Sequence, residues 1–123
     1  MANFTVIFYK TENTEPIKEF LDSLNDKMAA KILSMLKILE DKGNALRKPK
    51  SESINDGIFE LRYKVGSDIS RIMYFFYYGK KIVITNGFIK KTQKTPIKEI
   101  QLAKKRRAEY ISREENRIWN MKH

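Results

Sequence analysis

The spacing of hydrophobic positions changes twice along this 123-residue chain, from strand-like to helical and back to strand-like before a last helix. Phe4-Tyr9 (FTVIFY) is dense in β-branched and aromatic residues and reads as a mostly buried strand. A helical period follows, with Ile17, Phe20, Leu21 and Leu24 at i, i+3, i+4 and i+7. Thr14 or Asn13 is the expected cap, Pro16 falls in the first turn, and Glu15 and Glu19 sit at the positive end of the dipole. A second helix is expected from Asn25 or Asp26, with Met28, Ile32, Met35, Leu36 and Leu39 on one stripe and a stop at Lys42-Gly43. The two should form a helical hairpin.

After a polar loop from Asn44 to Gly57 the alternation of a strand takes over. In Ile58-Val65, residues Phe59, Leu61, Tyr63 and Val65 face one way, and Glu60, Arg62 and Lys64 the other. Ser70-Tyr78 sets Arg71, Met73, Phe75 and Tyr77 against Ile72, Tyr74, Phe76 and Tyr78, so both its faces are apolar and it is expected at the centre of the sheet. Gly79-Lys80 turns into Lys81-Lys90, which completes an antiparallel meander. Thr95-Pro96 opens a basic helix whose apolar side is Ile97, Ile100, Ala103, the stem of Arg107, Tyr110 and Ile111. The expected order is β-α-α-β-β-β-α, a single small α+β domain over residues 1–123.

Charge adds direction to this plan. The chain carries 25 Lys and Arg against 15 Asp and Glu, a net +10. Residues 1–57 hold 9 basic and 9 acidic groups, residues 58–89 hold 5 and 2, and residues 90–123 hold 11 and 4. The whole excess lies in the second half, which points to a polyanion or an acidic partner. Cys is absent, and the one His is the terminal His123, so disulfides, thiol nucleophiles, Cys-type zinc clusters and His triads are excluded. No cofactor or metal is expected. No apolar run reaches membrane-spanning length, and Met1-Tyr9 lacks the features of a secretory signal, so the expected location is the cytoplasm.

The meander brings the ends of its strands together, so Arg62, Arg71, Lys90, Lys91 and Lys94 are expected to line one concave cationic patch. Arg62 and Arg71 stand inside strongly apolar strands where Thr or Val would fit better. The competing reading of such a patch is a solvated rim that protects sheet edges. The tyrosines and phenylalanines of IMYFFYY suit a core better than a base-stacking platform, with Tyr77 or Tyr78 the candidates for exposure.

Three segments carry a resemblance: GIFELR (Gly57-Arg62), SRIMYFF (Ser70-Phe76) and GFIKKTQKTPIKEIQLAKKR (Gly87-Arg106). Together they resemble the RelE/HigB superfamily of type II toxin-antitoxin toxins, specifically its phage-derived HigB branch. The resemblance spans residue 4 to about 111, and leaves Ser112-His123 as an expected disordered or helical tail. It implies a RelE-like fold, with a helical hairpin and a C-terminal helix packed on a curved, mainly antiparallel sheet. It also implies a ribosome-dependent, metal-independent endoribonuclease that cuts mRNA in the decoding site, arrests growth and is silenced by a helix-turn-helix, HigA-like antitoxin.

On the resemblance, Arg71 stabilises phosphate and transition state, Lys91 is the acid at the leaving oxygen, and Lys64, Lys90 and Lys94 hold the RNA backbone. Arg62 takes the position of a second basic group. Glu60 is either a weak general base or the partner that orients Arg62, and Tyr74 or Tyr77 stacks on a base. Neither Arg71 nor Lys91 is expected in the apolar core, so replacing either by Ala should spare the fold. Two other functions fit the same residues: a ParE-like protein that poisons gyrase by binding, and an inactive basic module that binds an acidic partner.

Overall fold

A computed structural model describes residues 3–46, 51–90 and 94–123. The chain runs β1 (Thr5–Phe8), α1 (Pro16–Asp22), α2 (Asp26–Lys42), β2 (Ser51–Asn55), β3 (Ile58–Val65), β4 (Asp68–Tyr77), β5 (Lys81–Lys90) and α3 (Ile97–Lys122), with a 3-10 turn at Gly43–Ala45. The five strands form one sheet in the order β1-β5-β4-β3-β2. All neighbours are antiparallel except β1 and β5, which are parallel.

The central place expected for β4 is observed, and its two apolar faces explain the layering. Ile72 and Tyr74 join Leu61, Ile82 and Ile84 against α1 and α2, where Ile17, Met28, Ile32, Met35, Leu36 and Leu39 are buried. On the opposite face Met73, Phe75 and Tyr77 join Ile58 and Val83 against Ala103 and Tyr110 of α3. The sheet is therefore covered by helices on both sides. In α2 the Asn25 side chain accepts the Met28 N–H at 2.8 Å, which caps the first turn. The stop at Gly43 is also as expected, with the glycine at φ 52°.

Several expectations need correction. The loop expected from Asn44 to Gly57 contains β2, so the order gains a fourth strand after the hairpin of helices. SESIN is polar and lies on the sheet edge, so no hydrophobic alternation announces it. The signal was the turn: Asp56 and Gly57 lie at φ 52° and 82°, the left-handed pair that a tight Asp-Gly hairpin requires. β1 is a half-buried edge strand rather than a mostly buried one. The N-cap of α1 is Glu15 without a side-chain bond, because the Thr14 hydroxyl instead lies 2.7 Å from that of Thr11. Ile97 is 66% exposed at the first position of α3, and residues 112–122 continue that helix. Among the described residues no helix is long and apolar enough to cross a membrane.

A close approach ties α1 to the sheet. A Cβ on Gly87 of β5 would lie 2.6 Å from the Phe20 ring and 2.9 Å from Ile72 Cδ1. Gly87→Ala should therefore cost about 1–3 kcal/mol by overpacking, read as a lower urea midpoint at unchanged slope.

Tyr74 and Tyr110 should make the fold alkali-sensitive. Burial raises both phenols above their ordinary 10.0, with a Ser51 hydrogen bond partly opposing this at Tyr74. The unfolded chain releases these protons first, so the stability they hold is complete below pH 10.0 and falls as pH rises through the higher folded values. Urea midpoints measured on both sides of that pH should fall on the alkaline side, and Tyr74→Phe should reduce the fall.

Candidate functional site

On the α3 side of the sheet, strand register stacks the candidate residues in rungs. Glu60 lies opposite Glu52 in β2 and Met73 in β4, and Met73 opposite Asn86 in β5. One rung on, Arg62 lies opposite Arg71 and Arg71 opposite Phe88. In the third rung Lys64 lies opposite Ile69, and Ile69 opposite Lys90. The meander thus brings together the residues that alternation had placed on one face.

Two adjacent guanidinium groups inside a sheet need a counter-charge, and Glu60 supplies it. Its Oε1 accepts from Arg62 Nε at 2.5 Å. Its Oε2 accepts from the Thr95 hydroxyl at 2.5 Å and lies 3.8 Å from Arg71 Nη1. Thr95 Oγ1 in turn accepts from Arg71 Nη1 at 3.2 Å. Glu52 approaches Arg62 Nη2 to 3.6 Å. Burial of Arg71 lowers its pKa and neighbouring Arg62 adds to this, while Glu60 opposes it. A guanidinium has enough range to remain charged through such a shift.

Thr95 comes from the segment that opens α3, and that segment is anchored. Asn86 Nδ2 donates to the Glu99 carbonyl at 3.2 Å and to Glu99 Oε1 at 3.0 Å. Thr85 is the extra residue where the β4–β5 register shifts, and its carbonyl accepts from Arg106 Nη1 at 2.8 Å. Burial accordingly holds Arg106 below its usual pKa, with Tyr9 and Glu99 opposing.

Solvent access sorts the expected roles. Glu60 and Arg71 have no accessible surface, whereas the Arg62 side chain is 26% exposed. Arg62 is therefore the guanidinium of this network that solvent reaches, whereas Arg71, expected at the RNA phosphate, is covered. Glu60 is covered with both oxygens engaged, the geometry of the second role expected for it, a partner that orients Arg62. Tyr74 is buried with its hydroxyl on Ser51, and Tyr77 is buried against Tyr110 at 5.4 Å between ring centroids, so neither can stack on a base. Tyr78 is exposed, one of the two tyrosines considered for it. Lys64 and Lys94 are exposed near the network, while Lys91 and the Lys90 side chain lie outside the described residues.

Thr95 and Glu52 were not singled out by the sequence. The pattern Glu60-x-Arg62 opposite Arg71, three charges on one face of apolar strands, was the available signal that a further polar partner was needed. Part of the late basic excess is also structural. Arg107 bonds the Asp56 carbonyl and lies 3.3 Å from its carboxylate, and Arg113 donates to the Lys10 carbonyl at 2.9 Å. Among the described residues no three acidic or His side chains come together as a metal site.

A mixed α+β domain with a five-stranded sheet and three helices is compatible with the RelE-like fold. The family model described as phage-derived protein Gp49-like (DUF891) matches residues 19–108, a span that includes Glu60, Arg62, Arg71 and Thr95. The chain belongs to this family, which is in general one of RelE/HigB-like toxins. No curated protein matches the chain.

Proposed function

We propose that this protein is the toxin of a type II toxin-antitoxin system, of the phage-derived HigB branch, and acts as a ribosome-dependent endoribonuclease on mRNA. The observation that carries this reading is a solvent-reaching arginine, Arg62, held by a covered carboxylate in a rung of cations, on a segment that matches a RelE/HigB-like family.

Cleavage of RNA without an external nucleophile forms a bond between the 2'-oxygen and phosphorus and breaks the one to the 5'-oxygen. The 2'-hydroxyl gives its proton to a water molecule, the departing oxygen takes one from the proton donor, and the extra negative charge on phosphorus is met by fixed cations. Arg62 is suited to hold phosphate oxygens because a guanidinium presents two parallel donors. Lys91 is the proposed proton donor, the role that the family resemblance implies for it. Lys64, Lys90 and Lys94 would position the RNA backbone, and the decoding site would supply the aligned message. A helix-turn-helix antitoxin that covers this basic surface is the expected partner.

The test is induction of the chain in growing cells, followed by primer extension on abundant messages. Growth arrest with codon-linked cuts is expected. Arrest with intact messages and inhibited supercoiling by purified gyrase would assign the ParE-like activity instead.

A further inference from the structure

An arginine lowers the barrier to phosphoryl chemistry only if its donors already point where charge develops. We infer that Thr95 is a positioning residue that locks Glu60, and through it the direction of Arg62. This inference rests on the proposed place of Arg62 at the scissile phosphate.

Donor and acceptor chemistry gives the network one direction. A threonine hydroxyl has a single proton. Arg71 can only donate, so Thr95 Oγ1 must accept from it and has its own proton to give to Glu60 Oε2. That bond holds one carboxylate oxygen, which leaves the other, Oε1, to receive Arg62 Nε. Without the hydroxyl the carboxylate keeps its charge partner Arg71 at 3.8 Å but loses the hydrogen bond that stops it turning.

The position of Thr95 supports the same conclusion. A Thr just before a helix ordinarily caps it through its hydroxyl, yet the N-cap of α3 is Pro96, and no side-chain cap bond is made. The hydroxyl is turned to the sheet instead, 35 residues from Glu60 in sequence. Pro96 limits the adjoining backbone, and the Asn86 bonds to Glu99 fix the first turn of α3. A donor on so constrained a segment is suited to direct a side chain, while Thr95 itself is only 7% exposed and does not meet RNA.

The test compares full-length Thr95→Val, which keeps the shape and removes the hydroxyl, with Thr95→Ser, which keeps the hydroxyl. Single-turnover cleavage of a ribosome-bound message should fall roughly a hundredfold in Thr95→Val at saturating ribosomes, with little change in the ribosome concentration at half-maximal rate. Thr95→Ser should restore most of the rate. Independently of activity, the Arg62 Nε–H resonance of the nitrogen-15-labelled protein should move and exchange faster in Thr95→Val, and stay in place in Thr95→Ser. An unmoved resonance in Thr95→Val overturns the inference whether or not the protein cleaves RNA, as does wild-type cleavage by that variant when Arg62→Ala is impaired. If Arg62→Ala cleaves normally while the resonance in Thr95→Val still moves, positioning stands, and the assignment of Arg62 to the phosphate fails.

Discussion

Arg62→Ala should slow message cleavage on the ribosome by roughly two to three orders of magnitude, the usual loss when one fixed donor to a developing charge is removed. Arg62 is the guanidinium of the Glu60 network that solvent reaches, so the loss should fall on the rate far more than on the fold. Removing it leaves Glu60 with the Thr95 hydrogen bond and the charge of Arg71, so the stability change should stay near about 1–2 kcal/mol. Arg62→Lys keeps the charge and loses the paired donors. It should recover only a small part of the rate. Normal cleavage by Arg62→Ala, measured with purified protein and programmed ribosomes, would remove Arg62 from the site.

The second large effect is on stability. Glu60→Ala removes the carboxylate that lies 3.8 Å from Arg71 Nη1 and leaves that guanidinium covered beside Arg62. Breaking a covered pair by deleting one partner costs about 3–5 kcal/mol. A domain of ordinary stability would lose a large share of it. Glu60→Gln, which keeps shape and one acceptor oxygen, should lose less. Equal urea midpoints for wild type and Glu60→Ala would show that the network contributes nothing to folding. By the same reasoning Arg71→Ala should not spare the fold, contrary to the expectation that it lies outside the packed interior.

Much of this was legible in the chain. Helical spacing identified the buried stripe of α2 from Met28 to Leu39, and alternation placed Arg62 and Arg71 on one face and β4 at the centre. What alternation could not give was depth. Arg71 and Glu60 read as surface charges because they are charges, but a sheet covered on both faces hides polar residues wherever opposite charges and a hydroxyl satisfy one another. Nor could it reveal Thr95, whose partner lies 35 residues away. The edge strand β2 escaped because half-exposed polar residues carry no period, although Asp56-Gly57 marked its turn. Tyr74 and Tyr77 were better served by the ordinary habit of aromatics to be buried than by a role in stacking.

The central claim is cleavage of messages only when they are being read. Purified protein is added to a defined mRNA, alone and engaged in initiated ribosomes, and the 5' ends of the products are mapped. Cuts at codon-linked positions in the ribosome-bound message, with the naked message intact, are predicted. An intact message on arrested ribosomes, or equal cutting of naked RNA, would contradict the account.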